Sequence, residues 1–126
     1  VHVDVFVAVW NTMMAVVPVV DLFSGPGGLA EGFAAFRNPS GDRVFDVVLS
    51  IDMDATACKT LRLRNFLRKF PSGYPDEYYD FLNGTLPEEP RWANLHPRKW
   101  QEACDETRCI KIGTPEARWT PCSAVF

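Results

Sequence analysis

The chain has 126 residues, 47% of them hydrophobic and 23% charged. That length suits one domain with a real core, and the ordinary balance excludes a disordered tail, a collagen-like chain and a disulfide-dense miniprotein. Thirteen basic against sixteen acidic residues leave a net charge of −3, which excludes a strongly basic nucleic-acid coat while allowing a local patch.

The first apolar run, Val3 to Trp10 and then Met13 to Val20, is interrupted by Asn11, Thr12 and Pro18 and bounded by Asp4 and Asp21. It is too short and too broken for a membrane span, and it lacks the basic start of a signal peptide. A cytoplasmic protein is therefore expected. Met13 and Met14 both offer natural starts, which leaves the place of Val1 to Thr12 open. Within the run, Ala15 to Phe23 (AVVPVVDLF) is β-branched and predicts a buried strand, with Pro18 at its start or on an edge.

Ser24-Gly25-Pro26-Gly27-Gly28 then forms a strong turn signal. Leu29, Phe33 and Phe36 follow at helical spacing. Asn38 to Arg43 reads as a loop, and Val44 to Ile51 (VFDVVLSI) as a second buried strand. Asp54 to Phe70 predicts a long helix, ended by Pro71, Gly73 and Pro75. Its arginines and Lys69 fill the faces that the apolar residues leave. A charged run of that kind is ordinarily a solvated face; contact with DNA phosphates is the alternative.

Strand, glycine turn, helix, strand, helix argues for a parallel sheet with crossover helices. The second half differs. Asp76 to Leu82 predicts a short aromatic helix, Thr85 to Pro90 a loop, and Pro97 to Cys109 a helix with Pro97 in its first turn. Tyr74, Tyr78, Tyr79 and Phe81 are assigned to packing rather than base stacking. No further β-rich run is evident. A doubly wound sheet usually needs more strands, so the chain reads as one partial domain: an α/β core at 13–70, then a helical or irregular insertion or truncated end at 71–126.

The four cysteines, Cys58, Cys104, Cys109 and Cys122, form no dense framework and read as reduced thiols. Cys104 and Cys109 lack the second pair or neighbouring histidine that zinc requires, so no metal is expected. Cys58 and Cys104 fall in helical patterns and are assigned to packing.

The chemistry concentrates in Asp21 to Phe33, DLFSGPGGLAEGF. Gly25, Gly27 and Gly28 occupy a strand-to-helix bend, where they permit positive φ and close approach of a ligand. The helix start offers amide donors to a polar or anionic group. A tight turn that binds nothing is the plain alternative. Asp52, at the end of the next strand, follows Gly28 at roughly the 20-residue separation of an acid that accepts from ribose hydroxyls. Asp54 suits a helix N-cap. Met53 lies flat on an adenine ring or packs in the core.

Taken together, the phrase resembles the first motif of the DNA (cytosine-5) methyltransferases, D-L-F-x-G-x-G-G followed by a small helix carrying G-F. Asp21, Leu22, Phe23, Gly25, Gly27, Gly28, Gly32 and Phe33 meet it. LSIDMD resembles the second motif, although the family more often has glutamate and a bulkier neighbour. The resemblance covers residues 15–70. It implies a Rossmann-like fold that binds S-adenosylmethionine at the carboxyl ends of its strands. By the same resemblance, Asp21, Phe23, Ser24, Gly25, Gly27, Gly28 and Leu29 surround the methionine and adenosyl parts. Asp52 holds the ribose and Met53 covers the adenine.

The family's catalytic cysteine, in Pro-Cys-Gln, attacks carbon 6 of a flipped cytosine to make carbon 5 nucleophilic. Here Pro121-Cys122 is followed by Ser123, and a β-branched strand does not precede it; Cys122 is a poor match for that nucleophile. The later glutamate motif and a DNA-reading region have no counterpart. The expectation is the cofactor-binding part of a DNA methyltransferase, of the bacterial restriction-modification kind, that does not methylate DNA by itself. DNA would be met through other regions, and a complementary catalytic chain is a candidate partner. A non-catalytic cofactor module and an RNA cytosine methyltransferase relative are the alternatives.

Overall fold

The computed structural model describes residues 16–115. Cys122, proposed above as the weak match for a nucleophile, lies outside them, as do residues 1–15. The described residues form a mixed α/β arrangement with a three-stranded parallel sheet and five helices.

Strand β1 (Val17–Leu22) is rich in β-branched residues and occupies one edge of the sheet. The Val17 amide donates to the Val44 carbonyl at 2.8 Å, toward the neighbouring strand. Backbone donors alternate sides along a strand, so Pro18, which has no N–H, faces the open edge and removes no ladder bond. Strand β2 (Phe45–Asp52) lies at the centre and pairs with β1, the register shifting between Val19 and Val20. Between them, helix α1 (Gly28–Ala35) buries Ala30 completely. The helical spacing of Leu29, Phe33 and Phe36 does not describe a buried face. Leu29 and Phe36 are exposed, and Phe33 stacks edge-on against Phe45 with ring centroids 5.1 Å apart.

Helix α2 (Ala55–Leu67) starts where the Asp54 carboxylate accepts from the Ala57 amide at 2.7 Å, the N-cap expected of this residue. Cys58, Leu61, Asn65 and Phe66 recur at helical spacing and are buried. The helix ends three residues before its predicted limit. Beyond it the amides of Lys69 and Phe70 donate to carbonyls three residues back, a tighter turn that leads into Pro71.

Helices α3 (Asp76–Leu82), α4 (Trp92–Leu95) and α5 (Pro97–Asp105) complete the second half, with Pro97 in the first turn of α5. Helix α4 has no counterpart in the sequence reading. Phe66 is the centre of the core here. Its ring meets Phe70, Trp92, His96 and Trp100 at centroid separations of 5.1, 5.0, 5.9 and 5.5 Å. Tyr78 packs against this cluster, whereas Tyr74 and Tyr79 are nearly half exposed and pack on Tyr78 and on each other.

The main correction concerns the end of α5. A helix was expected as far as Cys109, with no further β-rich run after the second strand. The helix stops at Asp105, and Thr107–Cys109 forms β3, parallel to β2 on the side away from β1. Long-range bonds hold it there. The Ser50 amide donates to the Glu106 carbonyl at 2.8 Å, and the Ile110 amide to the Asp52 carbonyl at 2.9 Å. The buried Asn65 amide group donates to Thr107 Oγ1 at 2.8 Å, and that hydroxyl donates to the Ala103 carbonyl at 2.9 Å. These partners satisfy polar groups that would otherwise be buried without hydrogen bonds.

The basic residues just past the end of α2 also depart from a purely solvated face. Arg68 pairs with Glu31 of α1 and with Asn65, while Lys69 Nζ lies 2.6 Å from the Glu106 carboxylate. Burial pushes the Glu106 carboxyl above its usual 4.5, and Lys69 pulls it partly back. A raised carboxylate pKa means that the folded chain holds this proton more tightly than the unfolded one. This group therefore favours folding most in acid and costs stability as pH rises through its folded pKa.

Asn65→Ala removes the bond to Thr107 and leaves a buried hydroxyl with one partner fewer. The expected loss is about 1–3 kcal/mol in urea unfolding, with faster amide exchange at Ile110 showing that β3 has loosened.

Candidate functional site

The turn between β1 and α1 sits at the carboxyl end of the sheet. It is built by backbone conformations that the sequence supplies unevenly. Phe23, Gly25 and Gly27 all have positive φ, at 58°, 53° and 90°. For Gly27 two demands coincide, because an added Cβ would also lie 2.8 Å from Leu61 Cδ2 of α2. Phe23 is the only non-glycine residue with positive φ among the described residues, and it is 77% exposed. A strained backbone under an exposed aromatic ring is a costly arrangement, of order 1–3 kcal/mol.

Ser24 ties the turn to both strands. Its hydroxyl donates to the Asp21 carbonyl at 2.7 Å and accepts from the Ile51 amide at 3.2 Å. Its own amide donates to the Ile51 carbonyl at 3.0 Å. From the end of β2, Asp52 reaches across. Oδ2 accepts from the Gly25 amide at 2.8 Å, and Oδ1 from the Asp54 amide at 2.8 Å. The bond from Asp54, followed by that from Gly25, holds the Asp52 carboxyl below its usual 3.8. The two acidic segments picked out from the sequence are thus physically joined.

Asp21 is buried, and its Oδ2 has no hydrogen-bond partner among the described residues. A buried carboxylate oxygen left in that state is expensive unless something else donates to it. The N-terminus of α1 has no side-chain cap, so its first-turn amides and the positive end of the helix dipole remain for another acceptor. Gly28 differs from Gly27: its φ is not positive, and an added Cβ would meet nothing within 4 Å. Neither backbone nor packing requires glycine there, and its absence of a side chain leaves bare backbone at the helix start.

Three apolar side chains flank this polar centre along the chain. Phe23 follows β1, Leu29 lies in the first turn of α1 and Met53 follows β2; Leu29 is 67% and Met53 71% exposed. Of the two sequence alternatives for Met53, core packing is therefore excluded. The structure joins Asp21, Ser24, Gly25 and Asp52 by hydrogen bonds or chain neighbourhood, sets Gly27 against Leu61, and leaves Phe23, Leu29 and Met53 as open apolar surface. The bridging role of the Ser24 hydroxyl was not foreseen. A serine directly after a strand and before a glycine is its only signal in the sequence.

A separate surface groove of about 570 Å³ runs between α2 and α4, lined by Lys59, Arg62, Arg91 and Trp100 among others. It contains none of the residues of the glycine turn. Among the described residues no group of three or more His, Cys, Asp or Glu could hold a metal ion, and no helix is long and apolar enough to cross a membrane. Comparisons of the chain with protein-family models, with curated proteins and with solved structures each found no match.

The two neighbouring glycines should behave oppositely on substitution. Gly27→Ala places a side chain at φ 90° against Leu61 and is expected to lose about 1–3 kcal/mol in thermal or urea unfolding. Gly28→Ala, in a helix and with open space, is expected to be neutral or to gain up to about 1 kcal/mol.

Proposed function

We propose that this chain carries the S-adenosylmethionine-binding part of a DNA (cytosine-5) methyltransferase. The observation that carries the reading is the Asp52–Gly25 hydrogen bond at 2.8 Å. It brings the acid of the second motif onto the glycine turn of the first, at the ends of two adjacent parallel strands. In parallel α/β sheets that position is where nucleotide-like ligands bind.

The surrounding groups fit the chemistry of such a cofactor. Asp52, held ionised by backbone donors, has lone pairs left for ribose hydroxyls. No donor among the described residues reaches Asp21 Oδ2, and an ammonium or hydroxyl group would provide one. The uncapped start of α1 favours a carboxylate, such as that of a methionine end. Phe23, Leu29 and Met53 offer apolar surface to an adenosyl group, and the strain at Phe23 would be repaid by that contact. Bound there, S-adenosylmethionine would supply an electrophilic methyl group. The nucleophilic cysteine and the DNA-reading surface would come from regions beyond the described residues or from a complementary chain.

Calorimetric titration with S-adenosylmethionine should give saturable binding. Asp52→Asn should weaken it about ten- to a hundredfold, the value of one hydrogen bond to a charged group. A folded chain that takes up no cofactor, or an Asp52→Asn variant of unchanged affinity, would sink the assignment. Affinity should also follow the Asp52 carboxylate. Because its pKa is depressed, binding should be flat from neutral pH to about pH 5 and fall only in stronger acid, once the carboxylate takes a proton.

A further inference from the structure

Two cysteines that the proposed function does not use converge on Asp52 from different elements. Cys58 lies in the first turn of α2 and is buried; its thiol donates to the Asp52 carbonyl at 3.5 Å. Cys109 closes β3, is the register partner of Asp52 in the parallel β2–β3 pair, and is exposed. The Asp52 carbonyl accepts both the Cys58 thiol and the amide of Ile110, the residue after Cys109, which sets the two cysteines side by side; neither is in a disulfide. They are 51 positions apart in sequence, so only the third strand brings them together.

We propose that Cys58 and Cys109 form a redox-active pair that closes to an intramolecular disulfide, tying the start of α2 to the end of β3 beside Asp52. The oxidant is a peroxide, and the exposed thiol reacts first. The Cys109 sulfur attacks one oxygen of hydrogen peroxide and the O–O bond breaks. The products are a Cys109 sulfenic acid and one water. The Cys58 sulfur then attacks the Cys109 sulfur, the S–O bond breaks, and the hydroxide leaves with the Cys58 proton as a second water. Overall, two thiols lose two electrons and two protons, and one peroxide becomes two waters.

The environments divide these roles. Burial first, then the neighbouring Cys109 and the Asp52 carboxylate, pushes the Cys58 thiol up to about 12. That leaves it inert toward oxidants in bulk solvent. It acts only on a sulfenic acid already formed at its side. Neither step depends on what the glycine turn binds.

The test uses the full, reduced chain, treated with stoichiometric hydrogen peroxide, then alkylated in denaturant and digested with trypsin without reduction. Cleavage after Arg43 and Lys59 isolates Cys58, cleavage after Arg108 and Lys111 isolates Cys109, and Cys104 falls in a separate peptide. The expected product is a linked pair of peptides 44–59 and 109–111. Thiols titrated in denaturant should fall from four to two, and no disulfide between chains should form. Cys109→Ser, a change at an exposed position, should abolish the 58-containing link and leave Cys58 alkylatable. Links joining Cys109 to Cys104 or Cys122, links between two chains, or a Cys58 that is still fully alkylated in denaturant after the peroxide treatment would each overturn the proposal.

Discussion

A single carboxylate organises the carboxyl end of the sheet. Asp52 accepts from the Gly25 amide with one oxygen and from the Asp54 amide with the other, while its carbonyl accepts from Ile110 and from the Cys58 thiol. The glycine turn after β1, the first turn of α2 and the end of β3 are all referenced to this residue. Ionisation of the side chain is what makes the arrangement work. A charged acceptor forms stronger hydrogen bonds than a neutral one, and the donors in turn hold the pKa down.

Around this point the packing is two-sided. Toward the sheet, α2 presents Cys58, Leu61 and Asn65, and Leu61 closes the space that a side chain at residue 27 would need. Away from it, Phe66 anchors the aromatic cluster with Trp92, Trp100 and Phe70. Charged links run between the same elements: Arg68 to Glu31, and Lys69 to Glu106. Helix α2 therefore couples the turn, the sheet and the second half of the chain. By contrast, β1 has a strand partner on one side only among the described residues. Val17, Val20 and Leu22 stay about half exposed beside an edge with no partner among the described residues. This is the kind of surface that another strand or chain would cover.

Much of the first half was legible because its signals are local. β-Branched density marked β1 and β2, the glycines marked the turn, and Asp54 marked the start of α2. The candidate site was legible for the same reason, since Asp21, Ser24 and Gly25 are consecutive or nearly so in sequence. Leu29 and Phe36 misled because helical spacing shows which residues share a face, not whether anything lies opposite that face. Met53 shows the same limit: an apolar residue after a strand can point either way.

The chain order of strand, glycine turn, strand and capped helix followed from sequence alone, because backbone preference and hydrophobic period act over a few residues. The third strand did not. Thr107-Arg108-Cys109 carries little β signal and continues a helical pattern. It becomes a strand because Ser50, Asp52 and Asn65, more than 40 positions away, offer hydrogen bonds that a continued helix would leave unmade. Tertiary structure also decided that Asp52 reaches Gly25, and that Cys58 meets Cys109. Both are contacts between separate elements, set by sheet register and helix packing rather than by any local preference of the residues involved.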